Sequence, residues 1–168
     1  ELYQRFSGVL FGICLRYVRN RAEAEDLLQE AFIKIFSRLD SFGFKGSFEG
    51  WLKRLVINQA INFRRDNLKQ LFVSTRADLP ETENDEEPDT ADMVSLPQQK
   101  LLQMVQSLPD GYRLVFNLYV FENLSHQQIA GMLDISENTS KTQLMKARKK
   151  LKIMVEAELA QQHISVKS

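Results

Sequence analysis

The chain of 168 residues is 43% hydrophobic and 26% charged with no net formal charge, a balance that suits one medium or two small globular domains and excludes a disordered or fibrous protein. No stretch approaches the ~20 consecutive apolar residues of a membrane span, and the opening residues lack the layout of a signal peptide, so a soluble, cytoplasmic protein is expected. With one cysteine, Cys14, and two distant histidines, His126 and His163, the sequence offers no metal cluster or nucleophile-base pair, and neither an enzyme nor a cofactor is expected.

Residues 1–76 read as an all-helical domain of four segments. Leu2, Phe6, Val9, Leu10, Ile13, Cys14 and Tyr17 mark the first helix, with Cys14 as a small core residue. Asn20, followed three residues later by Glu23, forms a capping pair that opens the second. There Leu27, Leu28, Ala31, Phe32, Ile35, Phe36 and Leu39 share one broad buried face. The opposite stripe, Asp26, Gln29, Glu30 and Ile33, mixes acids with an apolar residue, and is either a protein-docking surface or an ordinary solvated face.

Between Asp40 and Gly50 three glycines and three phenylalanines make a loop on which Phe42, Phe44 and Lys45 should lie. Phe48 is expected in the core, whereas Phe42 and Phe44 either plug the loop or stack on unpaired bases. Ser47 or a neighbour starts a helix through Trp51 to Arg65, with Phe48, Leu52, Leu55, Val56 and Phe63 on the core side. Trp51, Arg54, Asn58, Asn62 and Arg65 form a second face whose amides and guanidiniums suit base edges and phosphates. Partial burial of Trp51 is compatible with that role.

The zero net charge conceals a segregation. Residues 77–99 hold eight acids, no Lys or Arg, and three of the four prolines, so this stretch is expected to be a flexible acidic linker. Residues 1–76 then carry thirteen basic against eight acidic side chains, and residues 100–168 nine against six. Two basic domains capable of gripping phosphates flank an acidic strap.

In residues 100–168, Leu101, Leu102, Val105 and Leu108 mark one helix, and Pro109 starts the next with Leu114, Val115, Leu118 and Tyr119. Ser125 and Gln128 match a capping box opening a short helix with Ile129, Ala130, Met132 and Leu133. A turn with a buried Ile135 follows, and Ser136 caps a long helix from Glu137 to about Leu151. This is the helix-turn-helix pattern, whose second helix enters the major groove. From Asn138 to Val155 it has six basic residues and no acid, unlike a merely solvated helix, which interleaves the two. Asn138, Thr139, Ser140, Lys141 and Gln143 are expected to approach bases or phosphates, Lys146 and Arg148 to reach the backbone, and Leu144, Ala147 and Leu151 to face the core.

The run Asp26-Leu-Leu-Gln-Glu-Ala-Phe32, then Gly46-Ser-Phe-Glu-Gly-Trp-Leu-Lys-Arg54 with Asn58, resembles the second conserved region of sigma-70-family RNA polymerase sigma factors. Leu108-Pro109, Ser125 to Leu133, Ile135 to Lys141 and Lys146-Ala-Arg148 resemble the fourth. Lacking the first and third regions is the layout of the extracytoplasmic-function (ECF) group. The resemblance implies that Asp26, Gln29, Glu30 and Ile33 dock on the clamp helices of core RNA polymerase, with the flap as a second contact. The loop from Phe42 to Ser47, with Asn58, would capture bases flipped from the minus-10 element; Trp51, Arg54, Arg64 and Arg65 would support the melted strand. The helix from Glu137 would read the minus-35 duplex, the linker would thread the polymerase's RNA path, and an anti-sigma factor would be a further partner. Asn138 departs from the family, many members of which have Gly there. A stand-alone helix-turn-helix regulator and a polymerase-binding decoy are the alternatives; the first predicts a dimer on a palindrome and gives no role to the Asp26 stripe or the Phe loop.

Overall fold

The computed structural model describes residues 1–74 and 96–166, and side chains at 65–71, 73–74 and 163–166 are not described. The acidic linker expected at 77–99 therefore lies mostly outside the described residues, as does the side chain of Arg65. The described chain forms seven α-helices and one 3-10 turn, with no strand among the described residues. It divides into two compact units, Glu1–Lys69 and Gln70–Ser168.

In the first unit, helix α1 (Leu2–Tyr17) packs on α2 (Arg21–Ser37), the 3-10 turn Leu39–Ser41 follows, and α3 (Phe48–Ser74) opens after a glycine-rich loop. Asn20 starts α2 as expected: its side chain accepts a hydrogen bond from the Glu23 N–H at 2.9 Å. The reciprocal half of a capping box is absent, because the Glu23 carboxylate instead accepts from the Arg19 N–H at 3.1 Å and pairs with Arg64 of α3. Ser47 caps α3, with its hydroxyl accepting from the Gly50 N–H.

The core joins Leu10, Ile13 and Cys14 of α1 to Leu27, Ala31 and Ile35 of α2 and Leu52, Val56 and Ala60 of α3. Burial pushes the Cys14 thiol up to about 12, so it is inert packing. Three expected core residues are instead well exposed. Val9 lies off the α1 stripe, Phe36 meets Phe32 in a tilted arrangement with ring centroids 6.0 Å apart, and Leu39 falls beyond Ser37, where the 3-10 turn breaks the helical phase.

The second unit is built from α4 (Gln98–Ser107), α5 (Asp110–Val120), α6 (His126–Leu133) and α7 (Glu137–Val166). The capping box at Ser125 and Gln128 is complete in both directions. Asp134 turns the chain between α6 and α7 in the left-handed region, φ 57°, which a short polar side chain tolerates. Ile135 is half-buried rather than buried, and Ser136 caps α7 through the Thr139 N–H at 3.0 Å.

Helix α7 runs well past Leu151. Val155 continues the buried stripe of Leu144, Ala147 and Leu151, and no Gly or Pro interrupts it. Farther along, Glu158 pairs with Lys100 of α4 at 3.2 Å. Met132, expected with the apolar residues of α6, is partly exposed.

The largest fully buried side chain among the described residues is a cation. Arg113 is 1% exposed, donates to the carbonyls of Gln106 at 2.8 Å and Leu108 at 2.7 Å, and pairs with buried Asp110. The guanidinium thus holds the end of α4 against the start of α5, with Asp110 one helical turn away as a buried counter-charge. Changing Asp110 to Ala removes one partner of a buried ion pair and is expected to destabilise this unit by about 3–5 kcal/mol; urea titration followed by amide hydrogen exchange in α5 measures the loss, with α2 as the unaffected control.

Candidate functional site

Three surfaces carry the residues singled out in the sequence. The first is the outer face of α2. Asp26, Gln29, Glu30 and Ile33 are all exposed there, Ile33 at 70%, so the mixed acid and apolar stripe is a surface and not a second core. Glu30 is also held from behind: it accepts a hydrogen bond from the buried amide of Gln59 in α3 at 2.7 Å. Together with the Glu23–Arg64 pair, this fixes α2 on α3 at two points, a linkage the sequence hides because its partners are 29 and 41 residues apart.

The second surface is the loop before α3 and the helix face beside it. Phe42 is half-buried, with ring centroids 5.1 Å from Phe44, 5.0 Å from Phe48 and 5.5 Å from Trp51. Phe48 in turn stacks on Trp51 at 5.7 Å and meets Phe6 edge-on at 5.8 Å. Phe42 and Phe48 thus plug the loop onto α1 and α3, while Phe44 is 88% exposed at φ 53°. A bulky residue in the left-handed region costs about 1–3 kcal/mol, and such strain clusters at functional sites. Leu39, Phe42, Phe44, Gly46 and Phe48 line an open cavity of about 400 Å³, with Lys45 and Ser47 exposed on the same loop.

On α3, Arg54, Asn58 and Asn62 are exposed in one line leading from half-buried Trp51. Arg64 does not join them. Its guanidinium is largely buried against Glu23 and Phe63, because its position on α3 points back towards α2. Its expected role on the melted strand is replaced by a role in holding the two helices together.

The third surface is the N-terminal half of α7. Asn138 and Lys141 are exposed and Thr139 half-buried, whereas Ser140 and Gln143 are 0% and 1% exposed. Both fall on the stripe continued by Leu144, Ala147 and Leu151, so the helical phase turns them inward despite their polarity. Gln143 lies over the start of α5, where a Cβ on Gly111 would come within 2.9 Å of its Oε1. Ser140 meets the Nδ1 of His126 in α6 at 2.9 Å.

The His126 ring stacks on Tyr119 at 4.7 Å, and the Arg148 guanidinium sits 5.6 Å from the centroid of the same Tyr119 ring. Burial first, then the charges of Lys141 and Arg148, hold the His126 pKa below its ordinary value, with Glu137 opposing them. His126 is a constituent of this surface that its sequence context, a helix-capping segment, does not advertise.

No helix among the described residues is long and apolar enough to cross a membrane, and no group of three or more potential metal ligands is found among them.

Comparison with known proteins agrees with this layout. A sigma-70 region 2 family model matches residues 2–70, and a sigma-70 region 4 model matches residues 98–151. The ECF RNA polymerase sigma factor SigW of Bacillus subtilis is 30% identical over 161 residues, covering 90% of this chain and 86% of its own. The RNA polymerase sigma-H factor of Pseudomonas aeruginosa is 30% identical over 88% of this chain and 80% of its own, and the ECF RNA polymerase sigma-E factor of Escherichia coli is 29% identical over 88% and 81%. Among solved structures, the sigma factor RpoE of Bartonella quintana, in complex with the anti-sigma factor NepR, shares the fold with a TM-score of 0.55 at 18% identity, over 92% of this chain and 96% of that one. These matches leave no place for a stand-alone helix-turn-helix regulator, and sigma factors are not enzymes. The chain belongs to the ECF group of sigma-70-family sigma factors, which direct promoter-specific transcription initiation by RNA polymerase.

Proposed function

We propose that the three surfaces divide the work of initiation. Asp26, Gln29, Glu30 and Ile33 dock on the clamp helices of core polymerase, and the helix-turn-helix unit reaches the flap. Phe42, Phe44, Lys45 and Ser47 of the loop, with Asn58 of α3, take unpaired bases of the minus-10 element, while Trp51, Arg54, Asn62 and Arg65 hold the melted strand. Asn138, Thr139 and Lys141 approach base edges of the minus-35 duplex, and Lys146 and Arg148 meet its phosphates. The protein acts in the cytoplasm, and an anti-sigma factor is a further partner, as NepR is for the Bartonella protein.

The observation that carries this assignment is the aromatic cavity beside the amide and guanidinium line of α3. Open aromatic faces next to hydrogen-bonding side chains suit an unstacked base better than a duplex, whose bases present only their edges. The third surface suits a duplex: beyond Glu137, the helix carries six basic side chains and no acid from Asn138 to Val155.

Run-off transcription with core polymerase from the source organism on a genomic promoter pool tests the division. Asn58→Ala is expected to lower promoter opening by roughly 5- to 150-fold, the equivalent of about 1–3 kcal/mol for a lost base contact. Combined reversal of Asp26 and Glu30 to Lys should abolish start sites by blocking assembly, which gel filtration with core polymerase reads separately. A second outcome follows from the polymerase acting as scaffold for two modest DNA grips. The free chain should footprint intact promoter duplex poorly and the holoenzyme specifically; a nanomolar footprint by the free chain would refute this.

A further inference from the structure

His126 stands at the start of α6 against residues of α5 and α7. Its Nδ1 is 2.9 Å from the Ser140 hydroxyl in the first turn of α7, its ring stacks on Tyr119 of α5, and Tyr119 also carries the Arg148 guanidinium. The charged groups acting on the ring are Lys141 and Arg148, which disfavour a proton, and Glu137, which favours one, all from α7. Lys141 and Arg148 are two of the cations assigned above to the duplex. The imidazole therefore lies within the field of the groups that phosphates would neutralise.

We propose that His126 is a further residue of the duplex-binding surface, one that takes up a proton as Lys141 and Arg148 engage the phosphate backbone. This rests on the assignment of α7 to the duplex. In the free chain a proton on His126 would be repelled by both cations. Phosphates cancel that repulsion and add attraction of their own, so the same ring holds its proton more tightly in the complex.

Local geometry allows the change. A serine hydroxyl both donates and accepts, so the bond between Ser140 and Nδ1 persists whether the ring is neutral or cationic. With Nδ1 occupied, Nε2 is the nitrogen left for a phosphate oxygen. A cationic ring also keeps its face on Tyr119, where cation and aromatic attract each other.

The sign follows from proton linkage. The bound state carries more protons than the free state between the free and bound pKa values of His126, so affinity rises as pH falls through that window and levels off on either side. Closed-complex binding of the holoenzyme to a promoter duplex, read by fluorescence anisotropy at low temperature before melting, measures it across about pH 5 to 8.

Relative to His126→Gln, which keeps a polar group facing Ser140, the wild type should gain up to about tenfold in affinity per unit of falling pH within the window. Parallel profiles for the two proteins, with Lys141→Ala still weakening binding, would overturn the inference and leave the duplex assignment intact. No weakening by Lys141→Ala would remove the assignment and the inference together. Titration of the His126 ring by NMR in the full chain, without duplex and with minus-35 duplex raised until the signals of α7 stop shifting, so that even a weak complex is saturated, decides the matter should the Gln variant fold poorly. A pKa raised by the duplex supports the proposal, and an unchanged one overturns it.

Discussion

Two helices in this protein must each bury one stripe and present another, and a helix has a single phase with which to do both. With about 3.6 residues per turn, placing Leu52, Val56 and Ala60 of α3 in the core leaves Arg54, Asn58 and Asn62 outside, with no further freedom. Placing Leu144, Ala147 and Leu151 of α7 in the core likewise sends Lys141 out and takes Ser140 and Gln143 in. The outer faces of α3 and α7 are thus set by apolar burial, the dominant favourable term in folding, and not by any preference of the polar residues themselves.

Phase alone would leave the helices free to slide, and polar bonds remove that freedom. In the first unit, Glu23–Arg64 and Glu30–Gln59 join the outer α2 to α3 one above the other. The α2 stripe proposed to meet polymerase and the α3 line proposed to meet DNA are therefore joined by polar bonds, so under that proposal docking one aims the other. Glu30 accepts the buried Gln59 amide while standing exposed on the outer face of α2. In the second unit Arg113 does comparable work from inside, tying the end of α4 and the loop at Leu108 to Asp110.

The electrostatics of the two surfaces proposed to meet DNA differ in kind. The loop and α3 offer aromatic faces with few charges, a surface on which stacking matters more than Coulomb attraction. Helix α7 offers clustered cations that disfavour a proton on His126.

The sequence by itself determined the all-helical class, the capping residues Asn20, Ser125 and Ser136, the glycine-rich loop before α3, and the basic run of α7. These depend on neighbours within a few positions, where spacing and side-chain chemistry suffice. The extension of α7 past Leu151 and the inward phase of Ser140 and Gln143 were also written in the apolar spacing, but their polar side chains argued the other way. Only the tertiary structure decided that Arg64 serves Glu23, that Gln59 holds Glu30, that Arg113 is buried with Asp110 inside the second unit, and that His126 joins Tyr119 and Arg148. Each of these turns on how far a side chain is taken from water and on which charge meets it there, and both quantities are fixed only when separate helices pack.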